Sequence, residues 1–169
     1  MSGLPSTKHG NECVFVVIDR FSKMAIMVAC QKNITTEATA KLFFERVWVH
    51  FGILQSIISY RDNKFFSTFF SSLWLVLDTK LTNSTAFHPQ TNGQIEVVNR
   101  MIVHILLMYN SKHQCTWDES LPCVQHNYNW ALHSSTGHSP FQVGLGLQPL
   151  CPIDVAIPLA ATHTDSAHV

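Results

Sequence analysis

Three acidic side chains in this chain stand where an apolar segment meets a turn: Asp19, Asp62 and Glu96. Converging carboxylates are the chemistry a divalent-metal site requires, because Mg²⁺ takes hard oxygen ligands. Two-metal phosphoryl transfer needs several of them aimed at one point. Glu96 is the most informative, since it closes the stretch Ser84 to Arg100, STAFHPQTNGQIEVVNR, in which a polar, turn-rich loop runs straight into an apolar-periodic segment. Taken alone, Glu96 reads as an exposed glutamate favoured near a helix start by the dipole. Other constellations carry less. His113 with Cys115, and His163 with His168, are too sparse for a zinc site. Ser134 and Ser135 lie near His133 and His138 without a nucleophile-elbow motif. Lys23, Lys32, Lys64 and Arg100 have the charge to touch phosphates, although solvated surface charge is the commoner role.

The elements that must position these residues follow from periodicity. His88 cannot be helical before Pro89, Asn92-Gly93 is a turn signal, and Thr91 with Gln94 fits a capping box. The pattern therefore predicts a helix from about Asn92, with Ile95, Val98, Ile102, Ile105 and Tyr109 as its buried stripe and Glu96 and Arg100 on a neighbouring face. Upstream, Cys13 to Asp19 and Met24 to Ala29 read as strands joined by the tight connection Arg20 to Lys23, a hairpin. Thr35 or Thr36 caps a helix whose core face is Ala40, Phe43, Phe44, Val47 and Phe51, stopped by Gly52. Gln55 to Tyr60 is a short strand with a buried Ile pair. Ser67 caps a second helix to Leu77 with Phe69, Phe70, Leu73 and Leu77 inward and Trp74, Leu75 and Val76 outward. Lys80 to Asn83 is a last strand, and Thr116 with Glu119 forms a capping box for a helix to about Leu132. A Ser/Thr/Gly loop and a Pro-rich tail follow. The order is that of an α/β domain with a mixed sheet flanked by helices.

Composition bounds the partners. The 169 residues suit one domain with a substantial core, read as residues 1–154, with 155–169 a disordered tail or linker. Lys and Arg number 11 against 11 Asp and Glu, a weak electrostatic footprint for a protein that lies along DNA. No stretch reaches the roughly 18 consecutive apolar residues of a membrane span. Five cysteines, an odd number without CxxC spacing, fit reduced thiols in an intracellular compartment. With no signal peptide evident, the sequons at Asn33 and Asn83 read as coincidental.

The wording of Ser84 to Arg100 closely resembles the S-T-A-F-H-P-Q-T-[DN]-G-Q-x-E-x-x-N-R signature of integrases from Ty3/gypsy-type long-terminal-repeat retrotransposons. The resemblance runs from about Gly3 to Asp154 and includes VVIDRFSKMA (Val16 to Ala25), SYRDNKF (Ser59 to Phe65), TKL (Thr79 to Leu81) and HSSTGHSPF (His133 to Phe141). It implies a ribonuclease-H-like fold of the retroviral integrase superfamily, with three antiparallel strands followed by parallel ones and the first strand missing or incomplete here. It further implies an Asp, Asp, Glu triad binding two Mg²⁺ (or Mn²⁺) for strand transfer on DNA, a nuclear site of action, and pairing into homo-oligomers, with neither a membrane nor a small-molecule substrate.

The same resemblance locates the triad and finds it broken. Glu96 matches its last member. The second is the first aspartate of an S-D-R-D motif, which here reads Ser59-Tyr60-Arg61-Asp62, and the 35 residues from Arg61 to Ile95 reproduce the family's spacing to the glutamate. Tyr60 thus stands where the carboxylate belongs, and the first aspartate is expected just upstream of Met1. Asp19 and Asp62 are weak substitutes, read instead as hairpin-end and turn-capping carboxylates. Lys64, His88, Gln90, Asn92 and Arg100 are the residues the resemblance aims at DNA, with His88 ordering the loop. Departures after Glu96, at Val97, Met101, Ile102 and Val103, replace positions commonly polar or basic, and Asp78 replaces a helix-ending glycine. The expectation is an integrase core-like pseudoenzyme that binds no metal and at most weakly binds DNA. A protein-interaction module is the second reading, and a residual nuclease using Asp19, Asp62 and Glu96 the third.

Overall fold

A computed structural model describes residues 4–52, 54–59, 67, 70–71, 74–75, 78–83, 89–109 and 114–150, with the side chains of 59, 81–83, 89–95, 107, 109 and 114 outside that description. The first strand, β1 (Cys13–Ile18), pairs antiparallel with β2 (Ala25–Cys30), Ile18 opposite Ala25 and Cys13 opposite Cys30. The connection between them is built by its own side chains. Asp19 Oδ2 accepts from the Ser22 amide at 2.8 Å and the Ser22 hydroxyl at 2.7 Å. Lys23 takes a left-handed φ of 64°, and the amide of Asp19 donates to the Met24 carbonyl at 2.9 Å.

Alternation along β1 sends Val14, Val16 and Ile18 to one face and Phe15 and Val17 to the other. Each face is covered by helices. On the first, Val14, Ala25 and Met27 pack with Val98, Ile102 and Leu106 of α2 (Pro89–Tyr109) and with Trp117, Leu121, Val124 and Tyr128 of α3 (Trp117–Trp130). On the second, Ile26 packs with Ala40 and Phe43 of α1 (Thr36–Phe43), with Val47, and with Phe70 and Trp74. Each fully buried Leu, Ile, Val or Phe contributes roughly 1.5–3 kcal/mol over its exposed state. The hairpin is therefore held from both sides.

Thr35 caps α1 as the sequence predicts, its hydroxyl accepting from the Ala38 amide at 3.2 Å. The helix then widens into a π-helical segment, Phe44–Trp48, before a last turn at Val49–Phe51, and Gly52 ends it at φ 67°. Ala40, Phe43 and Val47 are buried, whereas Phe44 and Phe51 are only half-buried and Trp48 and Val49 face outward. Beyond it, β3 (Ser56–Ser59) pairs parallel with β4 (Lys80–Asn83). Ile57 and Ile58 are half-buried, less than the buried pair expected. Among the described residues the hairpin and the parallel pair are two separate two-stranded sheets, one antiparallel and one parallel, where the sequence predicts a single mixed sheet.

Between β3 and β4 the described positions 70–71 and 74–75 are helical, and the Ser67 carbonyl accepts from the Ser71 amide at 2.9 Å. One expectation is corrected here. Trp74, assigned outward, is 3% exposed: it stacks on Phe70 with centroids 5.4 Å apart and meets Phe43 edge-on at 5.3 Å. Leu75 is outward at 83%. Trp74 lies four residues after Phe70, so the core stripe runs through it. Phe69, Leu73, Val76 and Leu77 lie outside the described residues.

Two further expectations fail at helix starts. Helix α2 begins at Pro89 rather than near Asn92, which places Thr91, Asn92 and Gly93 inside it. Proline suits a first helical position because its missing N–H has no partner to lose there. Thr116 makes no side-chain cap bond to α3, so the Thr116/Glu119 box does not form. A 3₁₀ turn at Gln114–Thr116 leads in, and the Trp117 indole N–H donates to the Pro5 carbonyl at 2.8 Å. The reading of the 133–150 region as loop misses α4 (Pro140–Leu145), where Ser139 and Gln142 form a reciprocal capping box, Pro140 opens the helix and Gly146 closes it at φ 73°. The last predicted segment, 155–169, lies outside the described residues, as does Cys151.

Candidate metal and nucleic-acid face around Glu96

Helix α2 owes its orientation to one apolar stripe. Val98, Ile102 and Leu106 are 5%, 0% and 2% exposed, and Ile105 is half-buried. Ile102 thus belongs to the core and not to the surface change read from the sequence. Leu106 was missed because Ile105 and Tyr109 satisfied the same helical spacing. With that stripe turned inward, Glu96 and Arg100, four residues apart, are exposed together on the other side. Glu96 sits two turns into the helix, about 10 Å along the axis from Pro89 at 1.5 Å per residue. That distance removes it from the dipole's strong reach, which fades within the first turn.

Exposed beside the two charges are Val97 at 61%, Met101 at 36% and Met108 at 73%. Their spacing of four and seven keeps them on one line of the helix. The face is thus a short acidic and basic pair beside a line of apolar side chains that exposed His104 interrupts.

Asp19, one of the two weak substitutes read from the sequence, spends Oδ2 on both Ser22 donors at the hairpin turn. Among the described residues, no three His, Cys, Asp or Glu side chains lie close enough to hold a metal ion. Tyr60, Asp62, Lys64 and His88 lie outside the described residues. Gln90 and Asn92 are placed only by the helical backbone of α2.

Among the other sequence candidates, His133 and Lys23 take structural roles, whereas His113, His163 and His168 lie outside the described residues. His133 closes the turn before α4: its carbonyl accepts from the amides of Thr136 at 3.1 Å and Gly137 at 2.9 Å, and its Nδ1 meets the Ser135 hydroxyl at 3.0 Å. Partial burial, and then the charge of Lys23, hold the His133 imidazole below its ordinary pKa of 6.5. Lys23 itself donates to the Arg20 carbonyl at 2.7 Å. No helix among the described residues is long and apolar enough to cross a membrane.

The comparisons with known proteins bear on this arrangement. No family model matches the chain. It is 37% identical over 166 residues to the Transposon Tf2-3 polyprotein of Schizosaccharomyces pombe, and equally so to the Tf2-4 polyprotein, matches that take in 98% of the chain and 12% of each relative. The chain thus spans about an eighth of the length of these relatives. Among solved structures it superposes on the integrase catalytic core domain of HTLV-2 in complex with magnesium at a TM-score of 0.65 and 17% identity, covering 85% of this chain and 99% of that one. It matches the catalytic core of BIV integrase at 0.64 and 18%, covering 79% and 85%. A chain of the simian T-cell lymphotropic virus intasome in complex with a PP2A regulatory subunit gives 0.69 and 18%, covering 89% and 54%. The chain is thus similar over nearly its whole length to one part of the Tf2 transposon polyproteins, and its fold is that of integrase catalytic cores.

Within this integrase core-like domain the ribonuclease-H-like architecture is plain: a hairpin, a parallel pair, and helices on both faces. Sequence reasoning missed the contacts that fasten α3. Asn129, fully buried, accepts from the Ala25 amide and donates to the Ala25 carbonyl, both at 2.8 Å, and one turn earlier Gln125 Oε1 accepts from the Met27 amide at 2.7 Å. The amides at i and i+4 of the helix match alternate residues of the strand. Two polar amides on a helix face aligned with a strand edge are the only sequence signal for this, and a weak one.

Proposed function

We propose that this integrase core-like domain engages nucleic acid weakly and does not catalyse strand transfer. The observation that carries the reading is Tyr60, standing where the motif has its second carboxylate and separated from Glu96 by 35 residues. A phenol does not supply the anionic oxygen that Mg²⁺ takes. Two metals held about 4 Å apart need bridging carboxylates, so Glu96 alone cannot clamp both the attacking and the leaving oxygen. The HTLV-2 core binds magnesium in its solved complex. This chain is proposed to have lost that property through Tyr60 while keeping the scaffold.

Arg100 is exposed beside Glu96, and Lys64, His88, Gln90 and Asn92 belong to the stretches that the resemblance aims at DNA. With a formal net charge of zero, few phosphates can be neutralised, so the affinity is weak and its salt slope shallow. Fluorescence anisotropy on a labelled duplex should show binding at low ionic strength that is lost near 200 mM salt. Arg100→Ala should lower the log–log salt slope by about 1. Incubation with end-matched DNA in Mg²⁺ or Mn²⁺ should give neither joining nor cleavage. Metal-dependent products abolished by Glu96→Gln would overturn the proposal and favour the residual nuclease using Asp19, Asp62 and Glu96.

One observation favours a second reading, a protein-interaction module pairing with another integrase core. The line of Val97, Met101 and Met108 sets apolar surface on the face that carries Glu96. Oligomers insensitive to salt, together with no measurable DNA affinity, would select it.

A further inference from the structure

Cys13 and Cys30 lie directly opposite each other at the open end of the β1–β2 hairpin, both reduced and both half-buried. Their pairing type follows from contacts on the far edge of β2. The amides of Ala25 and Met27 point away from β1, toward Asn129 and Gln125. Alternation then turns the backbone groups of Ile26, Val28 and Cys30 toward β1. Cys13 and Cys30 occupy a hydrogen-bonded pair, for which the Cα separation is about 5.5 Å. Disulfides span Cα distances of about 4.4–6.8 Å and centre near that value. Opposed residues of an antiparallel pair project to the same face, here the face of Phe15, Val17, Ile26 and Val28. The amide of Glu12 also donates to the Cys30 carbonyl at 3.1 Å, a departure from regular alternation at this open end of the ladder.

We propose that Cys13 and Cys30 are a redox-responsive modification site that closes to a cross-strand disulfide by exchange with a small-molecule disulfide. The thiolate of one cysteine attacks the small disulfide, forming a mixed disulfide and releasing one small thiol. The second cysteine loses its proton and attacks the mixed disulfide, forming the Cys13–Cys30 bond and releasing a second small thiol. Two protein thiols are oxidised and one small disulfide is reduced to two thiols, with no other reactant. The bond closes a loop with 16 residues between the cysteines, at the end of the hairpin opposite the Asp19 turn. A reducing compartment keeps it open, and an oxidising episode staples the central hairpin.

The test uses the full chain, folded, with oxidised glutathione as the probe. Alkylation and mass spectrometry should find a peptide joining Cys13 to Cys30, two fewer reactive thiols, and a melting temperature about 5 °C higher, all reversed by dithiothreitol. Cys30→Ser should leave a glutathione adduct on Cys13 and no gain in melting temperature. Cys13→Ala should do the same at Cys30, so one poorly folding variant does not remove the test. The proposal is overturned by adducts that persist on both cysteines without closing, by no reaction at either in the folded chain, or by linkage of either to Cys115, Cys123 or Cys151.

Discussion

Helices α2 and α3 lie on the same face of the same hairpin, yet they are fastened in different ways. Helix α3 is tied by directional contacts: Asn129 and Gln125 to the β2 backbone, the Trp117 indole to Pro5, and Asp118 to Thr7, His9 and Asn11, each at 2.9 Å. Helix α2 is held by its apolar stripe, and its outward side pairs Glu96 and Arg100 with exposed Val97, Met101 and Met108. The difference teaches that scaffold and chemistry can be kept separately. The contacts that fix α3 are buried and specific, whereas the exposed side of α2 carries Glu96 and Arg100 beside apolar side chains.

The sharpest way to break the comparison is Asn129→Ala. It leaves the Ala25 amide and carbonyl buried without their partners, and an unsatisfied buried group costs about 1–3 kcal/mol. A loss of about 3 kcal/mol in urea unfolding is expected; a loss below about 1 kcal/mol would mean that α3 is held by apolar packing, as α2 is.

Asp118 gives a pH-dependent version of the same test. Burial pushes its carboxyl up, but donation from Asn11, His9 and Thr7 and the charge of His9 outweigh this and hold it below its ordinary 3.8. A carboxyl depressed in the folded state stabilises the fold above its unfolded pKa and loses that contribution as pH falls through the folded one. Asp118→Asn should therefore cost about 2 kcal/mol at neutral pH. The gap from the parent chain should narrow as pH drops below about 4. A gap that is the same at every pH would contradict the assignment.

Asp78→Gly sharpens the comparison in the other direction. Asp78 is held at φ 51°, the left-handed conformation in which glycine is the usual helix-ending residue. Restoring glycine should stabilise by about 1 kcal/mol, read as a rise in unfolding midpoint. Smallest of all, Glu96→Gln should change stability by less than about 0.5 kcal/mol, as expected of an exposed side chain. A large loss would show that Glu96 is part of the scaffold after all.

Much of this was legible in the sequence, for reasons that differ by element. The hairpin, α1 with its Thr35 cap, β4 and the inward stripe of α2 follow from periodicity and capping, which are local. Trp74 was misplaced because a helix without a polar face does not declare its inside; the partners Phe43 and Phe70 decide it. The Pro89 start was hidden because one proline both ends the preceding segment and opens a helix. Helix α4 did carry its signal, Ser139-Pro140 with Gln142 and Gly146, which the turn-rich composition masked. The clips from Asn129 and Asp118 join residues more than a hundred positions apart, and no local pattern encodes them. For the site, the position of Glu96 on α2 follows from the helical pattern and Tyr60 lies outside the described residues, while the arrangement of exposed charge and apolar surface required the buried stripe to be known.

The most direct test of the account is a calorimetric Mg²⁺ titration of the native chain beside Glu96→Gln, at equal concentration and low salt. The account predicts that the two titrations are indistinguishable, because it puts a tyrosine, and not a second carboxylate, at position 60. A binding isotherm for the native chain that disappears in Glu96→Gln would contradict it, and would mean that another carboxylate completes the site.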